Sequence, residues 1–395
     1  MSIGENAETD LEDGMSSWRA SAEAATPANI MNQLCSHNSE VRTEQAAAKK
    51  YSTLKLGLDV HADQIVVVRI IEHGSPEPAQ RFRVEDFPAW VQKQLALAHT
   101  VHSCYEAGPF GYHLHRQLVA LGMHNLVTQP VCLDERHTGV NNDKTDARQL
   151  ALRLDRWVAG NDKALALVRV PTEPQEQRRV ESRQREQLRR EAHRVAAQGR
   201  SLLLNQGCRQ KGCWWKARRW EALKTRLPAW LLERLEVFRR LLEALEKELA
   251  AANRAVRAAA PKLRPSGLGA LTYETIEREI GDWQRFRNRR QVGSYTGLCG
   301  GVSASGRSVA LLSITQHGNP RLRAALIELA WRRLLWQSQC KLVRKWRRVL
   351  GNPQATRASR KKAIVAIARQ MAVDLWRWRT GRARPEDLGW RMQPA

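Results

Sequence analysis

Four carboxylates recur where a fold could gather them. Asp59 ends the apolar run LGLDV, Glu106 stands in YEAG, and Asp143 and Asp146 lie in NDKTDA. Two residues three apart on a helix project to the same side, so Asp143 and Asp146 can grip one ion. Carboxylate oxygens are the ligands Mg²⁺ takes, and four of them at one edge of a sheet would suit metal-assisted phosphodiester chemistry. Singly, each has an ordinary explanation, since an aspartate opening a helix is commonly only its cap. The set, in order on alternating elements, argues for a site. His61, two residues after Asp59, could assist, although a histidine following a strand is commonly an ordinary surface residue.

The charge of the chain fits a phosphate-bearing partner. Its 395 residues carry a formal net charge of +25, and a basic surface attracts nucleic acid. Residues 1–48 hold eight acids against two bases, which leaves about +31 on the rest. That tail has neither helix nor strand period, so it is expected to be a disordered acidic segment. No apolar run approaches the roughly 20 residues that cross a bilayer, and the N-terminus is acidic where a secretory signal would be basic. A cytoplasmic, nucleic-acid-associated protein without a membrane partner is expected. Seven scattered cysteines fit reduced thiols, and Cys208 and Cys213 lack the two nearby ligands a zinc site needs. No Gly-x-x-x-x-Gly-Lys-[Ser/Thr] occurs, so nothing asks for ATP.

The elements that must position the acids follow from periodicity. LKLGLDV and the β-branched IVVVRII predict a leading hairpin. RFRV (81–84) predicts a third strand, 86–98 a helix, TVHSCYEAG a strand ending near Glu106, and 112–122 a helix. HNLVTQP, a helix over 143–158 and a strand ALVRVP complete an α/β layer over 52–172. The mixed sheet accommodates a ribonuclease-H-like fold. Residues 173–262 are almost continuously helical in composition, with apolar positions every three or four residues. They predict a coiled-coil arm of two long helices, with a basic, Trp-rich tip at 207–228. Residues 263–395 are mainly helical and rich in Trp and Arg, residues that can stack on bases but at helical spacing more often pack a core. The fold class expected is therefore α/β plus α.

The quoted motifs resemble a known family: the DEDD transposases of the insertion-sequence one-ten family, relatives of the Piv DNA invertases. The resemblance rests on GLDVHAD, YEAGPFGYHLHRQLVALG, NNDKTDARQLALRL, and IGDWQRFRNRRQVGSYTGL running into SASG and ITQHGNPRLRAALIELAW, over about 54–335. It implies a RuvC-like domain whose metal-binding tetrad is Asp59, Glu106, Asp143 and Asp146, a coiled-coil arm, and a C-terminal transposase domain with a catalytic serine. Matching Lys144-Thr145-Asp146 literally to the family's Lys-Thr-Asp would instead put Gln149 in the last place. The continuation Asp146-Ala147-Arg148 favours Asp143 and Asp146. Counting back from ITQHGNPRLR, Ser305 falls at the family's Ser-Gly, with Ser303 as the fallback; Ser308 to Leu312 depart from the basic residues usual there.

The resemblance further implies Mg²⁺ as cofactor, donor and target DNA and a noncoding bridge RNA as partners, a homo-oligomer (dimer or tetramer), and an active site shared between subunits. A Piv-type invertase, a RuvC-like junction nuclease and an inactive nucleic-acid-binding relative are the alternatives.

Overall fold

The computed structural model describes residues 50–130, 142–305, 308–338 and 340–393. The acidic tail expected to be disordered lies outside them. Two compact units divide the chain, Met1–Val170 and Pro171–Ala395.

In the first unit β1 (Tyr51–Val60) and β2 (Gln64–Ile71) form the expected hairpin, and β3 (Gln80–Arg83) continues it antiparallel. Helix α1 (Phe87–Leu97) returns the chain to β4 (Ala98–Glu106), which runs parallel to β1. Helix α2 (His113–Ala120) then leads to β5 (His124–Thr128), parallel to β4. The sheet order is β3-β2-β1-β4-β5, a mixed sheet with β1 at its centre. Because β1 is covered on both faces, its sequence is a near-continuous apolar run. Leu54, Leu56 and Leu58 pack with Phe87, Val91 and Leu118 on one side. On the other, α3 (Asp143–Val158) buries Ala147 and Ala151 against Val66, Val68 and Ile70, and Leu150 and Leu154 against Cys104.

The expected strand ALVRVP is reduced to one antiparallel bridge, Leu167 against Thr128. Two hydrogen bonds hold it to the sheet edge, Gln129 N to Ala166 O and Val168 N to Val127 O, both 2.8 Å. Val168 and Val170 then turn into the core, and Pro171, without an N–H, cannot extend a ladder.

The second unit opens with α4 (Glu173–Asn205), started by a capping box between Thr172 and Gln175. After α5 (Ala217–Lys224), α6 (Ala229–Ala258) runs back antiparallel along α4: Arg185 Nε donates to Asn253 Oδ1 at one end, and Val195 and Leu203 pack with Leu231, Leu235 and Leu242 toward the other. The tip between them is a small core. Trp214 is fully buried and donates to Ala196 O at 3.1 Å, and a Cβ on Gly199 would lie 2.1 Å from its ring.

The remainder is β6 (Arg264–Pro265), α7 (Ala270–Ile280), a 3₁₀ turn, α8 (Arg289–Thr296), the hairpin β7 (Gly300–Ser305) and β8 (Ser308–Ile314), and α9 (Pro320–Trp336), α10 (Lys341–Leu350) and α11 (Arg357–Arg379). Strand β9 (Met392–Gln393) pairs with β6. Leu322, Leu326 and Leu329 of α9 and Ile364, Ile367 and Met371 of α11 centre its core. Ion pairs tie α4 to α7: Arg183 to Glu279 at 3.0 Å and Glu181 to Arg278 at 2.8 Å, while Arg278 also pairs with Glu274 within α7.

Candidate metal centre

The face of β1 that meets α3 carries Lys55, Gly57 and Asp59, because alternate residues of a strand point the same way. Lys55 is buried and donates to Asp155 Oδ1 at 2.7 Å and to Glu72 O, which fastens the later turns of α3 to the sheet. Gly57 lies beneath the helix. A Cβ there would stand 2.2 Å from Ala147 O and 2.3 Å from Ala151 N, so α3 can lie this close only over a glycine. Asp59 then meets the first turn of α3, where Asp143 and Asp146 sit.

Strand register aligns the partners. Asp59 is opposite Val66 on β2, and Val66 is opposite Arg81 on β3, so the three form a row on the α3 face. On the other side Leu58 pairs with Tyr105, so Asp59 and Glu106 extend side by side at the ends of parallel strands. Cys104 faces α3, its thiol 3.4 Å from Leu150 O, and Glu106 two residues later shares that face.

Asn142, and not Asp143, caps α3. Its side chain accepts from Thr145 N at 3.0 Å and Thr145 Oγ1 at 3.1 Å, which leaves the Asp143 carboxylate for other partners. Asp143 Oδ1 lies 3.7 Å from His61 Nε2, and its Oδ2 3.6 Å from Arg81 Nη2; His61 Nε2 is hydrogen-bonded to Asp59 Oδ2 at 3.0 Å. One ligand atom from each of Asp59, His61 and Asp143 falls within 4.8 Å of the others, and all three residues are half-buried.

Burial raises the Asp59 carboxyl above its ordinary range. The hydrogen bond and charge of His61 pull it down, and the negative charges of Asp143 and Asp146 push it up again. A carboxyl raised by burial and like charges is one a cation would stabilise in its ionised form. The donor set therefore fits a divalent metal: two carboxylates suit a hard cation, and an imidazole beside them also suits Mn²⁺ and its neighbours.

Of the expected tetrad, Asp59 and Asp143 come together. Asp146 acts on Asp59 through its charge from the same helix turn. Glu106 is exposed at the same edge and face but is not in the three-residue group. His61, expected to be an ordinary surface residue, belongs to that group. Motif spacing does not single out Arg81 or Gly57; a glycine amid LKLGLDV is the sign of close backbone approach that the sequence offers. Ser305 closes β7 opposite Ser308, and Ser303 is exposed opposite Ala310. The Ser305 side chain and Gly306 lie outside the described residues.

The basic surface has a place too. In the second unit a cleft of about 1160 Å³ is lined by Arg289, Arg290, Lys341, Lys345, Lys361 and Lys362. In the tip expected to be basic and Trp-rich the rings are core: Trp214, Trp215 and Trp220 are all buried. Among the described residues no helix is long and apolar enough to cross a membrane.

Residues 264–344, from β6 into α10, match the model of the Transposase IS116/IS110/IS902 family. A Sinorhizobium fredii protein that carries a transposase name, y4rJ, is 32% identical over 299 residues, which is 69% of this chain and 75% of that protein. The chain belongs to the IS116/IS110/IS902 family of transposases. A second S. fredii protein with a transposase name, y4qE, is 29% identical over 318 residues, or 70% of this transposase and 74% of the relative. The transposase for insertion sequence element IS1111A of Coxiella burnetii is 33% identical over 112 residues, 28% and 29% of the two chains. The family match begins after the acid cluster, whereas the longer relatives cover more than two thirds of the transposase.

Proposed function

We propose that the transposase is an RNA-guided, Mg²⁺-dependent site-specific DNA recombinase that cuts and rejoins DNA through a serine-DNA intermediate. Asp59, Glu106, Asp143 and Asp146 are its metal-binding tetrad, and Ser305 is its nucleophile. The observation that carries this reading is the meeting of Asp59 with Asp143 at the carboxyl edge of parallel strands, with Glu106 and Asp146 on the same face. The strand order β3-β2-β1-β4-β5, antiparallel on one side of β1 and parallel on the other, supports a RuvC-like first unit.

When bound, the cation supplies Lewis-acid stabilisation of the phosphate charge. The chain's own residues do the rest. Asp59 and Asp143 bind as carboxylates; beforehand Arg81 offsets the charge of Asp143, and His61 is hydrogen-bonded to Asp59. The Ser305 hydroxyl attacks phosphorus: a Ser Oγ–P bond forms, the P–O bond to the leaving sugar breaks, and the serine proton ends on that sugar oxygen. A hydroxyl of a second DNA strand then attacks the phosphoserine, releases Ser305 with its proton, and completes the exchange. The basic cleft offers DNA or a guiding RNA the phosphate contacts that position a strand. Donor and target DNA, a bridge RNA, a homo-oligomeric assembly and a cytoplasmic setting belong to this reading.

Denaturing gels of stopped reactions test it. Wild-type protein should carry covalently attached DNA, and Ser305→Ala should lose both adduct and strand exchange. An adduct kept in Ser305→Ala but lost in Ser303→Ala would move the nucleophile two residues. Cleavage by both variants with no adduct would replace the reading with hydrolysis by a RuvC-like nuclease.

A further inference from the structure

A second cavity, of about 410 Å³, opens between α4, α6, α7 and α9 within the second unit. Ser182, Arg185 and Arg189 follow one another at three and four residues along α4, so one helix face looks into it. Arg257, near the end of α6, joins them.

The carboxylates of its wall are already engaged. Glu186 holds Arg321 at 2.5 Å, Glu328 holds Arg332 at 2.6 Å, and Glu279 holds Arg183 at 3.0 Å and Asn319 at 2.7 Å. Arg185 donates to the neutral Asn253 Oδ1 at 2.6 Å, and among the described residues Arg189 and Arg257 have no carboxylate partner. Burial, and then the charges of Arg189 and Arg257, hold the Arg185 guanidinium below its ordinary range. The charges of Glu328 and Glu186 act the other way but are outweighed, so guanidinium charge gathers here with its nearest carboxylates committed to other arginines.

Two neutral features point the same way. Helix α7 starts in the cavity wall with Gly269 as N-cap and no side-chain cap, so its first N–H groups and the positive end of its dipole stay available. The Ser182 hydroxyl is buried and has no hydrogen-bond partner, an unusual state for a buried polar group. Unpaired guanidiniums, an uncapped helix start and an orphaned hydroxyl together match an oxyanion with several acceptor oxygens.

We propose that this cavity is a phosphate-binding site whose donors are Ser182, Arg185, Arg189, Arg257 and the first turn of α7. The phosphate is carried by a nucleic-acid strand or is a free ion; the strand arm rests on the recombinase reading above, the site itself does not.

Thermal unfolding of the full chain in sodium phosphate, against sodium chloride of equal ionic strength, tests the site. Phosphate should stabilise the wild type beyond chloride. The double variant Arg189→Ala, Arg257→Ala should need roughly tenfold more phosphate for the same shift. Gly269→Asp provides an independent check. The backbone there, φ −65° and ψ 154°, is one an N-cap aspartate adopts, and the new Cβ meets only the movable end of Arg332, at 3.1 Å. Its carboxylate should cap α7 in place of the ligand, abolishing the phosphate response while stability in chloride holds or rises. Equal phosphate stabilisation in wild type and both variants overturns the proposal.

A short single-stranded oligonucleotide distinguishes the carrier. Weaker oligonucleotide binding in both variants assigns the strand, and unchanged oligonucleotide binding beside a lost phosphate response assigns the free ion. Ser305→Ala protein should retain the phosphate response, so failure of the recombinase reading and failure of this site give different results.

Discussion

Gly57→Ala is the most direct probe of how the candidate metal centre is built. The added Cβ would stand 2.2 Å from Ala147 O, 2.3 Å from Ala151 N and 2.9 Å from Ala151 Cα. All three are backbone atoms of α3, so no side chain can swing aside. Relief to ordinary contact, near 3.5 Å between carbon atoms, requires the helix to rise by roughly 1 Å. Asp143 and Asp146 ride on the first turn of that helix, whereas Asp59 stays on β1. Overpacking of this kind costs about 1–3 kcal/mol in stability, and a shift of about 1 Å in a catalytic group can cost on the order of a hundredfold in rate. Urea unfolding and a strand-exchange assay on a mobile-element substrate separate the two effects. The expected result is a folded protein, modestly destabilised, with weaker Mn²⁺ binding and exchange reduced on the order of a hundredfold. A folded Gly57→Ala protein with wild-type exchange would refute the inference that contact between α3 and β1 sets the distance between the acids.

Other perturbations follow from the same contacts. Asp155→Ala leaves the buried Lys55 ammonium with only Glu72 O as acceptor and should cost about 2–4 kcal/mol in urea unfolding, more than Lys55→Met, which removes the buried charge. Trp214→Ala should destabilise the tip of the second unit by about 3–5 kcal/mol by calorimetry while leaving nucleic-acid affinity nearly unchanged below the transition, because the ring is core and not a stacking platform. Burial alone would raise the Glu279 carboxyl, but hydrogen bonds from Arg183 and Asn319 and the charges of Arg183 and Arg179 outweigh it and hold it below its ordinary value. Its stabilising contribution is therefore present above that ordinary value and lost as pH falls through the depressed one. Glu279→Gln should flatten this acid limb in unfolding measured from pH 6 to pH 3.

The strand and helix spans of the first unit were legible because β-branched runs and helical spacing are local signals. Asp143–Val158 is a helix as expected, and the LKLGLDV and IVVVRII segments pair as a hairpin. ALVRVP misled because composition marks a residue as fit for a strand but says nothing of whether a ladder partner exists; beyond Leu167 the valines face the core and Pro171 brings no donor. Composition marks the tip holding Trp214, Trp215 and Trp220 as basic and Trp-rich but does not say where the rings go; Gly199 opens the space that takes Trp214 into the arm.

What the sequence conceals at the acid cluster is register. Period two puts Lys55, Gly57 and Asp59 on one face of β1, which can be read from the chain alone. That Arg81 stands in the same row depends on two antiparallel pairings, Asp59 to Val66 and Val66 to Arg81, and one residue of slip in either would send Arg81 to the opposite face. His61 joins Asp59 and Asp143 because the β1–β2 turn, closed by His61 N to Gln64 O at 2.9 Å, holds it beside the edge. Both groups thus reach the acids through pairings and not through motif spacing. Of the two, Arg81 can hold the Asp143 carboxylate before a metal arrives and must yield when it does, whereas His61 belongs to the ligand set. On this account Arg81→Ala should spare the acid cluster's capacity for Mn²⁺, because it removes a competitor while leaving all ligands. Isothermal titration with Mn²⁺ checks it: affinity equal to or above wild type is expected, and a loss approaching that of Asp143→Ala would mean that Arg81 holds Asp143 in place instead of competing for it.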